Sequence, residues 1–334
     1  MTDQTPAFIA PDADAFDAEI RRRDLLGYWM IGERSNTDRE PKPAYRPRLW
    51  HWDDLEQMAY GAVNRVSKAE SYRRFVGFQN PDLKLGTTPN YLVGCQLLLP
   101  GESAPAHRHT MDAVRYIVRG GAKAYTVMDG ECFTMQDRDF ITTPNFAWHD
   151  HNNEGERDVI WIDGAVSPLV RGLGVGFAQM YSAERQELAG GGGSGPYDAR
   201  AARKPIRFPW AETEKALAAL SRDTPDPADD CVYRFVDPAH GGATLPTLDC
   251  AMTAMRAGWR GVRHRHVHAT TLHVVEGAGV TEIGGVDFAW KQGDTFVVPL
   301  WTWHRHMCDQ RALLFSIDDS AVLNPLGLNR LQVE

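Results

Sequence analysis

Apolar residues along this chain fall into short runs separated by Gly, Pro and Asp, and the pattern predicts strands over Tyr91–Leu99, Val114–Val118, Ala124–Val127, Asp139–Thr142 and Val159–Asp163. Asp129-Gly130 and Gly284-Gly285 lie between such runs and fit hairpin turns, so the expected architecture is mainly β, a barrel or a double-sheet roll. Ala15–Ile31 and Trp52–Val66 instead carry apolar residues at helical spacing, the second with Asp53 and Asp54 where a helix N-terminus favours negative charge. A further short helix is expected near Ala211–Leu220, after the glycine-rich run Gly190-Gly191-Gly192-Gly193-Ser194-Gly195, which reads as a flexible linker.

The pattern occurs twice. With His107-Arg108-His109 laid over His264-Arg265-His266, an offset of 157, Gly101 meets Gly258 and Val118-Arg119-Gly120 meets Val275-Glu276-Gly277. Further on, Asp139–Pro144 with Trp148-His149-Asp150-His151 parallels Asp294–Pro299 with Trp303-His304-Arg305-His306 at an offset of 155. A period this long exceeds any solenoid unit, roughly 20–50 residues, and marks a duplicated domain. The expected organisation is an N-terminal helical extension over 1–74, a first barrel over 75–185, a linker over 186–204 and a second barrel over 205–334.

Composition narrows the class of partner. The 334 residues carry 36 Lys plus Arg against 44 Asp plus Glu, a net charge of −8, which disfavours nucleic acid and anionic membrane surfaces. No run approaches the roughly 20 apolar residues that span a bilayer, and the first residues lack a signal-peptide pattern, so a cytoplasmic location is expected. The five cysteines, Cys95, Cys132, Cys231, Cys250 and Cys308, are scattered without CxxC spacing and read as packing thiols. Arg21-Arg22-Arg23 reads as a solvated helix face, and Trp148, Trp161, Trp301 and Trp303 read most simply as core packing, with room for some of them to line a pocket.

Histidine is where the chemistry concentrates, because of the twelve in the chain only His51 and His240 lie outside the two repeated territories. Residues i and i+2 of a strand share a face, so His107 and His109 aim two imidazoles into one barrel interior, and His149 returns beside them from a strand that follows Pro144. Three neutral imidazoles suit iron, zinc, copper or nickel and leave coordination positions open for reactants. Arg115 follows His109 by six residues and shares its inward parity, whereas Asp112 follows by three and faces outward.

Gly101, the His107-x-His109 pair, Pro144 and His149 resemble the two motifs of the cupin superfamily, which implies a bicupin: two double-stranded β-helix (jelly-roll) barrels with N-terminal helical segments. The longer string Leu98-Leu99-Pro100-Gly101-Glu102, Ala106–Thr110, Arg115–Val118, Trp148–His151 and Trp161–Gly164 closely resembles the gentisate 1,2-dioxygenase group, which includes enzymes for salicylate, substituted salicylates and 1-hydroxy-2-naphthoate. The resemblance resumes from Gly258 to Leu328, with Leu314-Phe315-Ser316 and Leu326-Gly327-Leu328. It implies Fe(II) on His107, His109 and His149, O₂ as co-substrate, and cleavage of the ring bond between the carboxylate- and hydroxyl-bearing carbons of a small aromatic hydroxy acid. It further implies that Arg115 holds the carboxylate and that His151 acts as acid, base or hydrogen-bonding partner of the substrate, with Gln96 and Asp163 as additional contacts. A homotetramer is implied by the same resemblance.

Three departures from the group bear on substrate choice: Arg119-Gly120-Gly121 in place of a Glu-Gly pair, Asn145-Phe146-Ala147 before the third histidine, and Leu92 where an aromatic is usual. They leave room for salicylates other than gentisate, such as 5-substituted or nitro-substituted ones. The second copy repeats the triad spacing in His264, His266 and His304, so a second metal site stays open, but Leu272 stands at the position of Arg115 and no carboxylate can be received there. Catalysis is therefore assigned to the first copy and a structural role to the second. The rival readings are a non-catalytic small-ligand-binding bicupin and a different metal-dependent cupin enzyme.

Overall fold

A computed structural model describes residues 13–30, 39–66, 74–188, 203–221 and 225–334, and the glycine run 190–195 lies outside the described residues. The chain divides into two compact units, Met1–Lys42 and Pro43–Glu334. In the first, the helix runs over Ala13–Arg22 and stops well short of the expected end at Ile31. Asp24 adopts a left-handed φ of 56°, and the Leu25 and Asp24 amides donate to the Ile20 and Arg21 carbonyls, a helix-terminating motif that apolar spacing does not reveal. Arg22 and Arg23 pair with Glu19 at the surface, as a solvated helix face should.

The second unit holds the duplicated β structure. The first barrel joins a six-stranded sheet, ordered Arg207–Phe208, Phe140–Thr143, Ala113–Arg119, Val159–Ala165, Leu92–Leu98 and Phe75–Gly77, to a five-stranded sheet ordered Ala178–Met180, Ser103–His109, His149–Asn153, Gly121–Met128 and Glu131–Met135. The second barrel repeats this arrangement. Its six-stranded sheet runs Arg48–Trp50, Thr295–Val298, Thr270–Glu276, Ala312–Asp318, Asp249–Met255 and Cys231–Arg234, and its five-stranded sheet Val286–Lys291, Ala278–Ile283, His304–Met307, His264–His266 and Leu331–Val333. All the pairings are antiparallel. The Asp129-Gly130 and Gly284-Gly285 turns close hairpins, with positive φ at both residues of each pair.

The two barrels exchange edge strands. Arg48–Trp50 precedes the first barrel in sequence yet pairs with Thr295–Val298 of the second, and Arg207–Phe208 follows the linker yet pairs with Phe140–Thr143 of the first. These strands cross the expected boundaries at 74 and 205. Their partners are set by tertiary packing, since segments of two or three residues carry no alternation of their own.

The six-stranded sheets are buried on both faces, which explains runs such as Ala113–Ile117 in which every residue is buried. One face of each sheet points into its own barrel. The other joins a shared core in which Tyr116 stacks on Phe315 at 4.7 Å and Phe140 lies 4.6 Å from Phe235 and 5.2 Å from Phe315. Gly164 permits the close approach, because a Cβ there would stand 2.9 Å from Ile317 Cδ1. The Tyr91 hydroxyl, buried in the seam, donates to the Ala269 and Ile317 carbonyls of the second barrel. The helix Trp52–Val63 buries Leu55 and Ala59 in this core, and the helix Trp210–Leu220 buries Leu217. No described helix is long and apolar enough to cross a membrane. The cysteines are all unbridged, four of them buried as expected and Cys132 exposed.

Candidate metal centre

Strand register brings the first triad together. His107 on the Ser103–His109 strand lies directly opposite His149, and His109 follows on the same face. The rings of His107 and His149 lie 4.2 Å apart between centroids and those of His109 and His149 4.7 Å, with one ligand atom from each residue within 4.8 Å of the others. Each Nδ1 is held by a backbone carbonyl two residues away: Pro105 at 2.7 Å, Met111 at 2.8 Å and Ala147 at 2.9 Å. Donation from Nδ1 leaves the Nε2 lone pair as the coordinating atom and fixes each ring's orientation. Burial, then the neighbouring His107 and His109, pushes the His149 pKa well below the usual histidine value, so the ring is neutral as a metal ligand must be. Its Nε2 is buried and has no hydrogen-bond partner among the described residues, an orphaned acceptor that a cation would satisfy. The donor set fits a divalent transition-metal ion.

The loop that delivers His149 is held from both sides. Phe146 takes a left-handed φ of 64° while its amide donates to the His109 carbonyl at 2.8 Å, and Trp148 N–H donates to Asp129 Oδ1 at 2.9 Å. Asp112, outside the triad, accepts from the Asn145 amide at 2.8 Å and from the Thr247 hydroxyl at 2.7 Å. Its carboxylate thereby ties the ligand loop to the second half of the chain, and burial raises its pKa.

The interior of this barrel has a polar region and an apolar one. Arg115 is fully buried, donates from Nη1 to the Thr143 hydroxyl, and has Nε 3.8 Å from the Asp163 carboxylate directly across the sheet. Gln96 opposes Trp161 on the next pair of strands, and both atoms of its buried amide have no hydrogen-bond partner among the described residues. Leu98, Ile117, Met128, Ile141 and Trp161 form the apolar remainder. His151 is fully buried, with its ring 5.8 Å from that of His149 and 5.2 Å from that of Trp161. Inward arginine and amide groups beside three imidazoles can receive an anionic, oxygen-bearing ligand next to a metal ion.

The cupin-domain family model matches residues 94–164 and 251–317, the two stretches that carry the triads. Over 337 residues the chain is 33% identical to a 1-hydroxy-2-naphthoate 1,2-dioxygenase of a Nocardioides species, covering 96% of this chain and 87% of that one. It is 33% identical over 344 residues to a 5-aminosalicylate 1,2-dioxygenase of a Comamonas species, covering 98% and 92%. The chain belongs to the bicupin family of gentisate and salicylate 1,2-dioxygenases. Its fold superposes on the salicylate 1,2-dioxygenase of Pseudoaminobacter salicylatoxidans, solved as an adduct with gentisate, with a TM-score of 0.88, 27% identity and coverage of 100% and 97%. It is a ring-cleaving dioxygenase.

Within this dioxygenase, the sequence-predicted residues His107, His109, His149, His151, Arg115, Gln96 and Asp163 all lie in or on one barrel. Thr143 and Trp161 join them. Thr143 precedes the Pro144 of the second motif and accepts from Arg115, and Trp161, whose buried indole N–H has no hydrogen-bond partner among the described residues, shares the parity of Asp163. Trp148 does pack, against Tyr181 and under the Arg108 guanidinium at 4.6 Å. Of the departures from the family pattern, Arg119 belongs to the scaffold, since it pairs with Glu56 and Asp158 and bonds the Tyr60 hydroxyl.

Proposed function

We propose that the first barrel is the reaction centre and that its substrate is an ortho-hydroxybenzoate, gentisate or a 5-substituted salicylate such as 5-nitrosalicylate, opened between the carboxyl- and hydroxyl-bearing carbons with incorporation of both atoms of O₂. The observation that carries this reading is Arg115: a guanidinium with no exposure, inside the same barrel as the triad, with Asp163 and Thr143 holding it. A guanidinium held in this way beside the triad offers a planar fork that a substrate carboxylate can meet at two points.

His107, His109 and His149 would hold Fe(II), whose one-electron chemistry links an electron-rich ring to dioxygen when it is bound. The chain's own groups do the rest. Arg115 binds and orients the carboxylate, and Asp163 keeps the guanidinium aligned. Gln96 donates to or accepts from the substrate's oxygen substituents. His151, in reach of the triad, takes or returns the proton of the phenolic hydroxyl. Trp161 and the apolar residues around it exclude water from the ring and hold it in place, which converts encounter into a fixed geometry. The enzyme so described acts in aromatic catabolism, in the cytoplasm and as a homo-oligomer, a tetramer by its family resemblance.

The test is oxygen uptake by protein loaded anaerobically with Fe(II), with gentisate, salicylate, 5-nitrosalicylate and 1-hydroxy-2-naphthoate each in turn and the product spectrum followed in the ultraviolet. Uptake matched mole for mole by ring-opened product is expected with at least one of them. Bound iron without uptake on any of the four contradicts the reading.

A further inference from the structure

We propose that the second barrel carries a metal centre of its own, a divalent transition-metal ion on His264, His266 and His304, whose open side takes water or a small neutral or cationic ligand and not an aromatic acid. His264 lies directly opposite His304 across the sheet, and the two rings are 4.0 Å apart between centroids, with His266 4.9 Å from His304. One ligand atom from each of the three residues falls within 4.8 Å of the others. The Nδ1 atoms are engaged by the Val262 carbonyl at 3.2 Å, the His268 carbonyl at 2.7 Å and the Thr302 carbonyl at 2.9 Å, which turns the three Nε2 atoms toward one another. A core histidine retained only for packing needs no such orientation, and one cation between three converging acceptor nitrogens satisfies all of them at once.

The loop that delivers the third histidine is also built as in the first barrel. Trp301 has a left-handed φ of 52° and its amide donates to the His266 carbonyl at 2.6 Å, as Phe146 does to His109. Strain kept at the same place in both copies holds His304 as it holds His149.

What surrounds this triad differs. It opens into a cavity of about 420 Å³, large enough for a small ligand. Strand register puts Leu272 opposite Ser316 and Thr253 opposite Leu314, so the places of Arg115, Asp163, Gln96 and Trp161 hold leucine, serine, threonine and leucine. Asp229 lines the cavity with its Oδ1 3.7 Å from His306 Nε2, buried and without a hydrogen-bond partner among the described residues, and Asp226 lies beside it. Two arginines also line the space, but Arg234 stands 3.3 Å from Asp249 and 4.0 Å from Asp318, while Arg330 is exposed and bonds the Gly327 and Asn329 carbonyls. A carboxylate beside the ion would face Asp229 and an apolar Leu272; water, an alcohol or an amine would find an acceptor in Asp229.

The test uses Co(II) alone as the probe, added anaerobically to metal-free full-length protein and counted by elemental analysis after gel filtration. Two ions per chain are expected for the unaltered protein, and one per chain for His264→Ala and for His107→Ala. Salicylate is expected to shift the visible Co(II) bands of His264→Ala and to leave those of His107→Ala unchanged. One ion per chain in the unaltered protein overturns the proposal, as do two ions retained by His264→Ala or a salicylate shift in His107→Ala. The count in the unaltered protein needs no variant to fold, and none of these outcomes bears on whether the first barrel turns over its substrate.

Discussion

The two barrels share a triad and differ in what faces it. In the first, Gln96, Arg115, Asp163 and Thr143 line the inward face of the six-stranded sheet; in the second, the corresponding positions hold Thr253, Leu272, Ser316 and Val298. Both triads have the same strand pairing, the same carbonyl bonds at Nδ1 and the same left-handed residue in the ligand loop. The geometry of the triad is thus a property of the barrel, while on the function proposed above the recognition of an aromatic acid rests on the side chains across from it. A duplicated fold can keep one and lose the other by a handful of substitutions.

This contrast can be broken most severely at the triad. His149→Ala removes a fully buried imidazole, so the metal content of the first barrel and turnover should both fall to background, read by elemental analysis and oxygen uptake on the same sample. Arg115→Leu makes the first barrel resemble the second. Truncating one partner of a buried charge pair costs about 2–4 kcal/mol, so kcat/KM should fall on the order of 30- to 1000-fold while metal content stays. Unchanged kcat/KM in Arg115→Leu would remove the main distinction between the barrels.

Smaller effects sharpen the comparison. Asp112→Ala leaves the Asn145 amide and the Thr247 hydroxyl without their buried acceptor, and the folded state should lose about 1–3 kcal/mol in denaturant titration. Gln96→Leu keeps shape and removes one hydrogen-bonding group, with an expected loss of roughly 5- to 10-fold in kcat/KM, the ~1–1.5 kcal/mol of a single bond. If Gln96→Leu instead matched Arg115→Leu in effect, recognition would lie in the amide and not in the guanidinium.

Much of the site was legible in the sequence because its signals are local. HxH parity follows from period-two alternation within the strand Ser103–His109, the return of His149 was marked by Pro144, Arg115 sits one short turn further on at the inward face of the next strand, Ala113–Arg119, and the 157 and 155 offsets exposed the duplication. The contrast of Arg115 with Leu272 was visible for the same reason. The exchanged strands Arg48–Trp50 and Arg207–Phe208 were not legible, since what defines them is a partner about 245 or 65 residues away and not a pattern of their own. Nor was the bond from the Thr247 hydroxyl to Asp112, which depends on how the second half of the chain lies against the ligand loop. The end of the first helix at Arg22 turned on the left-handed conformation of a single aspartate, Asp24.

If only one of the two similar triads is walled to receive an aromatic acid, calorimetric titration of Fe(II)-loaded protein with salicylate, free of oxygen, should give one salicylate bound per chain. Two bound per chain with comparable affinity would contradict it, because a barrel with leucine in place of Arg115 would then recognise the carboxylate as well as one with arginine.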